Sequence, residues 1–108
     1  MPNVTLFIRD DQMPRAECLD RLTATCEQLC IGILDALPEN IHIIYVAVSH
    51  GKGHPAFADI RYRMSARRTP AVMEDFMQQL EAAIQAHIGL VPRIRCFAYA
   101  AQAIHALN

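Results

Sequence analysis

The apolar positions along the chain alternate between two patterns, short runs and a helical stripe, and this alternation occurs twice. Residues 4–9 (VTLFIR) form a β-branched and aromatic run and predict a strand. Residues 10–14 predict a turn, with Pro14 suited to the first position of a helix. Apolar residues then recur at Leu19, Leu22, Cys26, Leu29, Cys30 and Ile33, the spacing of an amphipathic helix from Arg15 to about Leu34. The segment Leu37-Pro38-Glu39-Asn40 ends it. Residues 41–48 (IHIIYVAV) are nearly all apolar, as in a strand covered on both faces. The Gly-rich stretch 50–55 (HGKGHP) predicts a loop between two halves.

The second half repeats the order. Residues 60–65 (IRYRMS) alternate strictly, with Arg61 and Arg63 on one face and Ile60, Tyr62 and Met64 on the other. Thr69-Pro70 predicts a helix start as N-cap and first residue. Met73, Phe76, Met77, Leu80, Ala83, Ile84 and Ile88 supply its buried stripe, Gly89 its stop and Pro92 its exit. Residues 94–100 (IRCFAYA) predict the last strand, followed by a mildly apolar tail. The expected architecture is α/β (α+β): two β-α-β repeats, about 2–54 and 55–108, in one domain spanning 1–108. Right-handed crossovers give a four-stranded mixed sheet with two helices on one face. The chain supplies no third helix for the other face, and a symmetric oligomer is the simplest cover for it.

Composition narrows the function. At 108 residues, 53% hydrophobic and net charge −1, the chain has the size and apolar content of one folded domain. Near-neutral charge, 6% aromatic residues and no Trp argue against nucleic-acid binding. No apolar run approaches the ~18–20 residues of a membrane span, so no membrane partner is expected. Cys18, Cys26, Cys30 and Cys96 form no CxxC pair, and three fall on the helical stripe as core thiols, which favours a reducing cytoplasm. No metal and no cofactor are expected. His50 and His54 flank glycines in a loop, where helical ligand spacing does not apply.

Met1-Pro2-Asn3-Val4 ahead of the first strand, two β-α-β repeats and a length just above 100 resemble the tautomerase superfamily. Its members include macrophage migration inhibitory factor, 4-oxalocrotonate tautomerase, 5-carboxymethyl-2-hydroxymuconate isomerase and malonate semialdehyde decarboxylase. Met13-Pro14-Arg15-Ala16 is similar to the migration-inhibitory-factor type. Leu34-Asp35-Ala36, followed by Lys52-Gly53-His54, is similar to the oxalocrotonate type. The resemblance implies a homotrimer and a cofactor-independent keto–enol tautomerase, an isomerase acting on a small carboxylate. Its alternatives are a non-catalytic binding protein of the same fold and a malonate semialdehyde decarboxylase-like enzyme.

The chemistry expected of Pro2 follows from its amine. With Met1 removed, Pro2 carries a secondary amine on a rigid ring. An apolar pocket disfavours the charged form and lowers its pKa, leaving free base to move a proton alpha to a carbonyl. The enolate oxygen or a substrate carboxylate then needs cationic donors. Nine of the ten basic residues are Arg, and residues 55–108 hold six of them against four acids. Arg binds carboxylates bidentately. Arg67 and Arg68 precede the second helix, whose N-terminus adds positive charge. The resemblance assigns Arg68, with Arg67 beside it, to the substrate carboxylate, and Arg95 with Phe97 to a neighbouring subunit's pocket. Arg61, Arg63 and Arg93 are expected in surface or interface ion pairs. The chain departs from the oxalocrotonate type at His42 and Pro55, and from the migration-inhibitory-factor type at Ala36. No acid follows Glu81, and Glu39 matches the decarboxylase Asp only loosely. Proton transfer demands least of the residues present.

Overall fold

The computed structural model describes residues 2–108, and the expected removal of Met1 lies outside the described residues. Its strands are β1 (Asn3–Arg9), β2 (His42–Val48), β3 (Ala56–Arg63) and β4 (Pro92–Tyr99). Its two long helices are α1 (Ala16–Gly32) and α2 (Pro70–Ile88). The sheet runs β2-β1-β3-β4, with β2 parallel to β1, β3 antiparallel to β1, and β4 parallel to β3. This is the expected four-stranded mixed sheet built from two β-α-β units. Among the described residues no helix is long and apolar enough to cross a membrane.

Period-2 alternation divides the sheet into two faces. Val4, Leu6 and Ile8 of β1 and Ala56, Ala58, Ile60 and Tyr62 of β3 are buried beneath the helices. Leu22, Cys26 and Cys30 of α1 and Met73, Phe76, Leu80 and Ile84 of α2 close this core from above. The alanines of β3 give the helices room to approach the middle of the sheet. The opposite face carries Phe7, Val46, Ile44, Phe57, Arg61 and Phe97, and neither long helix lies on it, while the C-terminal tail borders a groove with Asn3, Arg61 and Tyr99 at one end. Phe7 and Phe57 meet edge to face there, 6.4 Å apart.

The helix ends follow their local chemistry. Thr69 caps α2 through its hydroxyl oxygen, which accepts the Val72 N–H at 3.3 Å, and Pro70 is the first helical residue. Gly89 closes α2 in the left-handed conformation at φ 69°.

Four local expectations are corrected. α1 begins at Ala16 with Arg15 as its N-cap, so Pro14 precedes the helix rather than opening it. The short 3-10 turn Asp10–Gln12 takes up the chain before it. β2 is an edge strand with only one face packed inside the chain, and Ile44 is left exposed, so its apolar run does not mark a strand covered on both sides by this chain. β3 starts at Ala56, four residues earlier than its Arg/apolar alternation suggests. Two small alanines carry little strand propensity, yet they pair in register with Ile8 and Leu6. β4 begins at Pro92, which is buried, rather than at Ile94.

Candidate active site

Pro2 stands one residue before β1, and its ring is fully buried. Its carbonyl accepts the His42 N–H at 3.1 Å, tying the start of β1 to the start of β2. One step beyond the last register pairs, Asn3↔His42 and Asn3↔Arg61, Pro2 falls between Ile41 and Tyr62. Burial pushes the Tyr62 phenol above its ordinary range.

The sheet topology then decides what gathers at this end. β1 and β2 both begin here, and antiparallel β3 ends here. The segment after α1 and the turn before α2 therefore converge on the N-terminal end of β1. They enclose a cleft of about 360 Å³ lined by Leu34, Asp35, Asn40, Arg63, Arg67 and Arg68, among others. Two of the expected anion-binding residues, Arg67 and Arg68, thus lie together at the end of the sheet that Pro2 occupies.

Their surroundings differ. Arg68 is half-buried, and its Nε donates to the Leu34 carbonyl at 3.0 Å while one Nη donates to the Arg63 carbonyl at 2.8 Å. Its guanidinium lies 6.0 Å from the centre of the Tyr62 ring. These contacts hold it as a bridge between the end of α1 and the end of β3, with the second Nη group in neither bond. Arg67 is solvated and pairs with the Asp35 carboxylate at 2.9 Å. Arg63 also lines the cleft and makes no ion pair among the described residues, unlike the surface pairing expected of it.

Arg95 and Phe97 sit elsewhere. Both belong to β4 and are exposed, and their register partners are Asp59 and Arg61. The Arg61 guanidinium lies 5.4 Å from the Phe97 ring centre and donates to the Tyr99 hydroxyl at 2.8 Å. Arg61 also pairs with Asp59 at 3.2 Å, and that carboxylate raises its pKa. Within one chain, Phe97 therefore belongs to the open sheet face, in the same cross-strand row as Asn3 and on the side away from the helices. Arg95 additionally borders a second groove of about 680 Å³ between α2 and β4, shared with Arg68, Met73, Met77 and Cys96.

No group of three or more His, Cys, Asp or Glu side chains among the described residues is placed to hold a metal ion. The cysteines are free thiols. Cys26 and Cys30 lie one turn apart, and their mutual hydrogen bond together with burial pushes Cys26 up. Burial pushes the Cys96 thiol to about 11. The site residues missing from the sequence reading are Asp35 and Arg63. Asp35 was visible only as part of a short motif, and Arg63 only as one of several charges on an alternating strand.

No family model matches the sequence, and no curated protein matches it either. The fold does have solved counterparts. Macrophage migration inhibitory factor from Toxoplasma gondii superposes with a TM-score of 0.75 at 14% identity, covering 96% of this chain and 95% of that one. A fused 4-OT described as a wild-type symmetric trimer gives 0.78 at 14% identity, covering 97% and 91%. A malonate semialdehyde decarboxylase inhibited by 3-bromopropiolate gives 0.69 at 13% identity, covering 95% and 87%. The chain has the tautomerase-superfamily fold across nearly its whole length. At these identities the likeness is one of architecture, and the chemistry has to be argued from the residues.

Proposed function

We propose that the protein is a cofactor-independent tautomerase that moves a proton between carbon and oxygen on a small 2-oxo or enol carboxylic acid, with the Pro2 amine as general base. One observation carries the reading. Pro2 is buried immediately before a central strand, at the end of the sheet where three guanidinium groups line a cleft. Desolvation disfavours the ammonium form of the amine, so free base is available near neutral pH. The base takes a proton from the carbon alpha to the carbonyl, and the electron pair moves onto the carbonyl oxygen. Arg67 and Arg68 supply positive charge for the enolate or for the substrate carboxylate. The protonated amine then gives that proton to the enolate oxygen, completing the enol, and ketonisation runs the same two transfers backwards, from the enol O–H to the amine and from the amine to carbon.

A homotrimer completes this reading. The open sheet face exposes Ile44, Phe97 and Tyr99, and a second copy covers it without any further element of the chain. Arg95 and Phe97 then reach a neighbour's cleft rather than their own.

The test is ketonisation of phenylenolpyruvate by the wild-type chain and by Pro2→Ala, with the N-terminus established by mass spectrometry and the assembly by sedimentation. General-base catalysis contributes roughly 10²–10⁴-fold, so the variant should lose activity on that scale with its fold intact. Equal catalysed rates would refute the need for the proline secondary amine as base, and no rate above the uncatalysed one in either would leave the binding-protein reading.

A further inference from the structure

The geometry points to Asp35 as the residue that sets the charge selectivity of the cleft: its carboxylate occupies Arg67 in the free protein and gives way to a carboxylate of the ligand. The inference rests on the anion-handling role given to this cleft above and adds a determinant to it.

The backbone supplies the first argument. Asp35 has φ 55°, in the left-handed region where an L side chain is disfavoured and Gly is the usual occupant after a helix. Its neighbour Ala36 donates back to the Cys30 carbonyl at 3.1 Å, so the turn holds Asp35 in that conformation. The turn alone would be better served by Gly. A side chain kept at a conformational cost points to a use for that side chain.

The second argument is the partner. The Asp35 carboxylate pairs with Arg67 at 2.9 Å across the cleft, yet the two side chains are 60% and 76% exposed. An ion pair this solvated is weak and readily exchanged. Arg68 cannot exchange in the same way, because two backbone carbonyls hold its guanidinium. Arg67 is therefore the mobile cation of the cleft, and Asp35 is the internal anion it must leave.

The third argument is charge. The cleft contains Arg63, Arg67 and Arg68 with Asp35 as its one carboxylate among the lining residues. Three positive groups less one negative leave two. A singly charged ligand that displaces Asp35 from Arg67 leaves that carboxylate in the cleft beside it, and the two repel. A doubly charged ligand also reaches Arg63 or Arg68 with its other end, but it meets the same carboxylate with twice the charge. The arginines favour the dianion, and Asp35 holds that preference down.

Equilibrium binding of fumarate and crotonate by titration calorimetry tests this, on the wild type, Asp35→Asn, Arg67→Gln and the double variant. Wild type should prefer fumarate. Asp35→Asn should tighten crotonate by roughly two- to fivefold, the scale of an exposed ion pair, and fumarate by more, which widens the preference. The gain should vanish when Arg67→Gln is added. Asp35→Gly should give the same tightening together with a higher melting temperature. Unchanged crotonate affinity in Asp35→Asn, a gain that survives Arg67→Gln, or a wild type that binds neither acid would overturn the assignment. Binding does not require the Pro2 amine, so carboxylate exchange without turnover would count against the proposed reaction and leave the role of Asp35 standing.

Discussion

Replacing Arg68 by Ala separates an arginine that builds the site from one that only serves it. The side chain makes two hydrogen bonds to backbone carbonyls, at 3.0 Å to Leu34 and 2.8 Å to Arg63, and lies over Tyr62. A charged donor to a carbonyl is worth about 1.5–3 kcal/mol where water is excluded. At this half-exposed position water partly replaces it, so about 1 kcal/mol for each bond is the better figure. The ring contact adds about 0.5 kcal/mol. Arg68→Ala should therefore lower stability by about 2–3 kcal/mol, equivalent to roughly 8–12 °C in Tm for a domain of this length. Arg67 is bound only through a solvated ion pair, and Arg67→Ala should stay within about 0.5 kcal/mol of wild type. Arg68→Lys keeps the charge but lacks the planar fork that spans both carbonyls, so it should fall close to the Ala variant. Urea unfolding at fixed protomer concentration measures all three, the concentration being held because assembly contributes to stability. Arg68→Ala indistinguishable from wild type, or Arg67→Ala equally destabilised, would refute the division of roles.

Two further outcomes follow from local features. Thr69→Ala removes the hydroxyl that caps α2 and should cost about 1 kcal/mol, while Thr69→Ser should restore most of it; thermal unfolding compares them. The Cys96 thiol keeps its proton in the folded chain to about 11, against an ordinary value of 9.0. Between those values the folded state binds more protons than the unfolded one, so this thiol's contribution to stability is full below pH 9 and is lost as pH rises toward 11. Wild type should accordingly lose stability faster than Cys96→Ala across that window, and parallel curves would remove Cys96 as the cause.

The candidate site was half legible before the fold was known. Pro2 stood out because a proline directly after the first Met carries a secondary amine once that Met is removed, and the Arg67-Arg68 pair because adjacent guanidiniums before a helix concentrate charge. Arg63 was hidden among the charges of β3, since alternation reports a face and not which end of the sheet a residue reaches. Asp35 showed only as one letter of a short motif, with no sign of its partner. Its importance lies in a positive φ and in a partner thirty-two residues away.

Periodicity and end signals are local properties, and for that reason the amino-acid sequence by itself determined the elements of this protein. A stripe at helical spacing can bury its apolar side only as a helix, and Thr69 and Gly89 mark the limits of α2 because capping is settled within one turn of chain. Repetition of the β-α-β unit also determined the sheet and its single helical layer, since a right-handed crossover leaves little else. Only the tertiary structure decided that β3 enters between β1 and β4 and brings Arg63, Arg67 and Arg68 to the end of the sheet where Pro2 begins. It also decided that Arg68 is a structural bridge while Arg67 is a replaceable ion-pair partner. Those distinctions depend on carbonyls and carboxylates from distant segments, and no local pattern encodes which distant groups a side chain will meet.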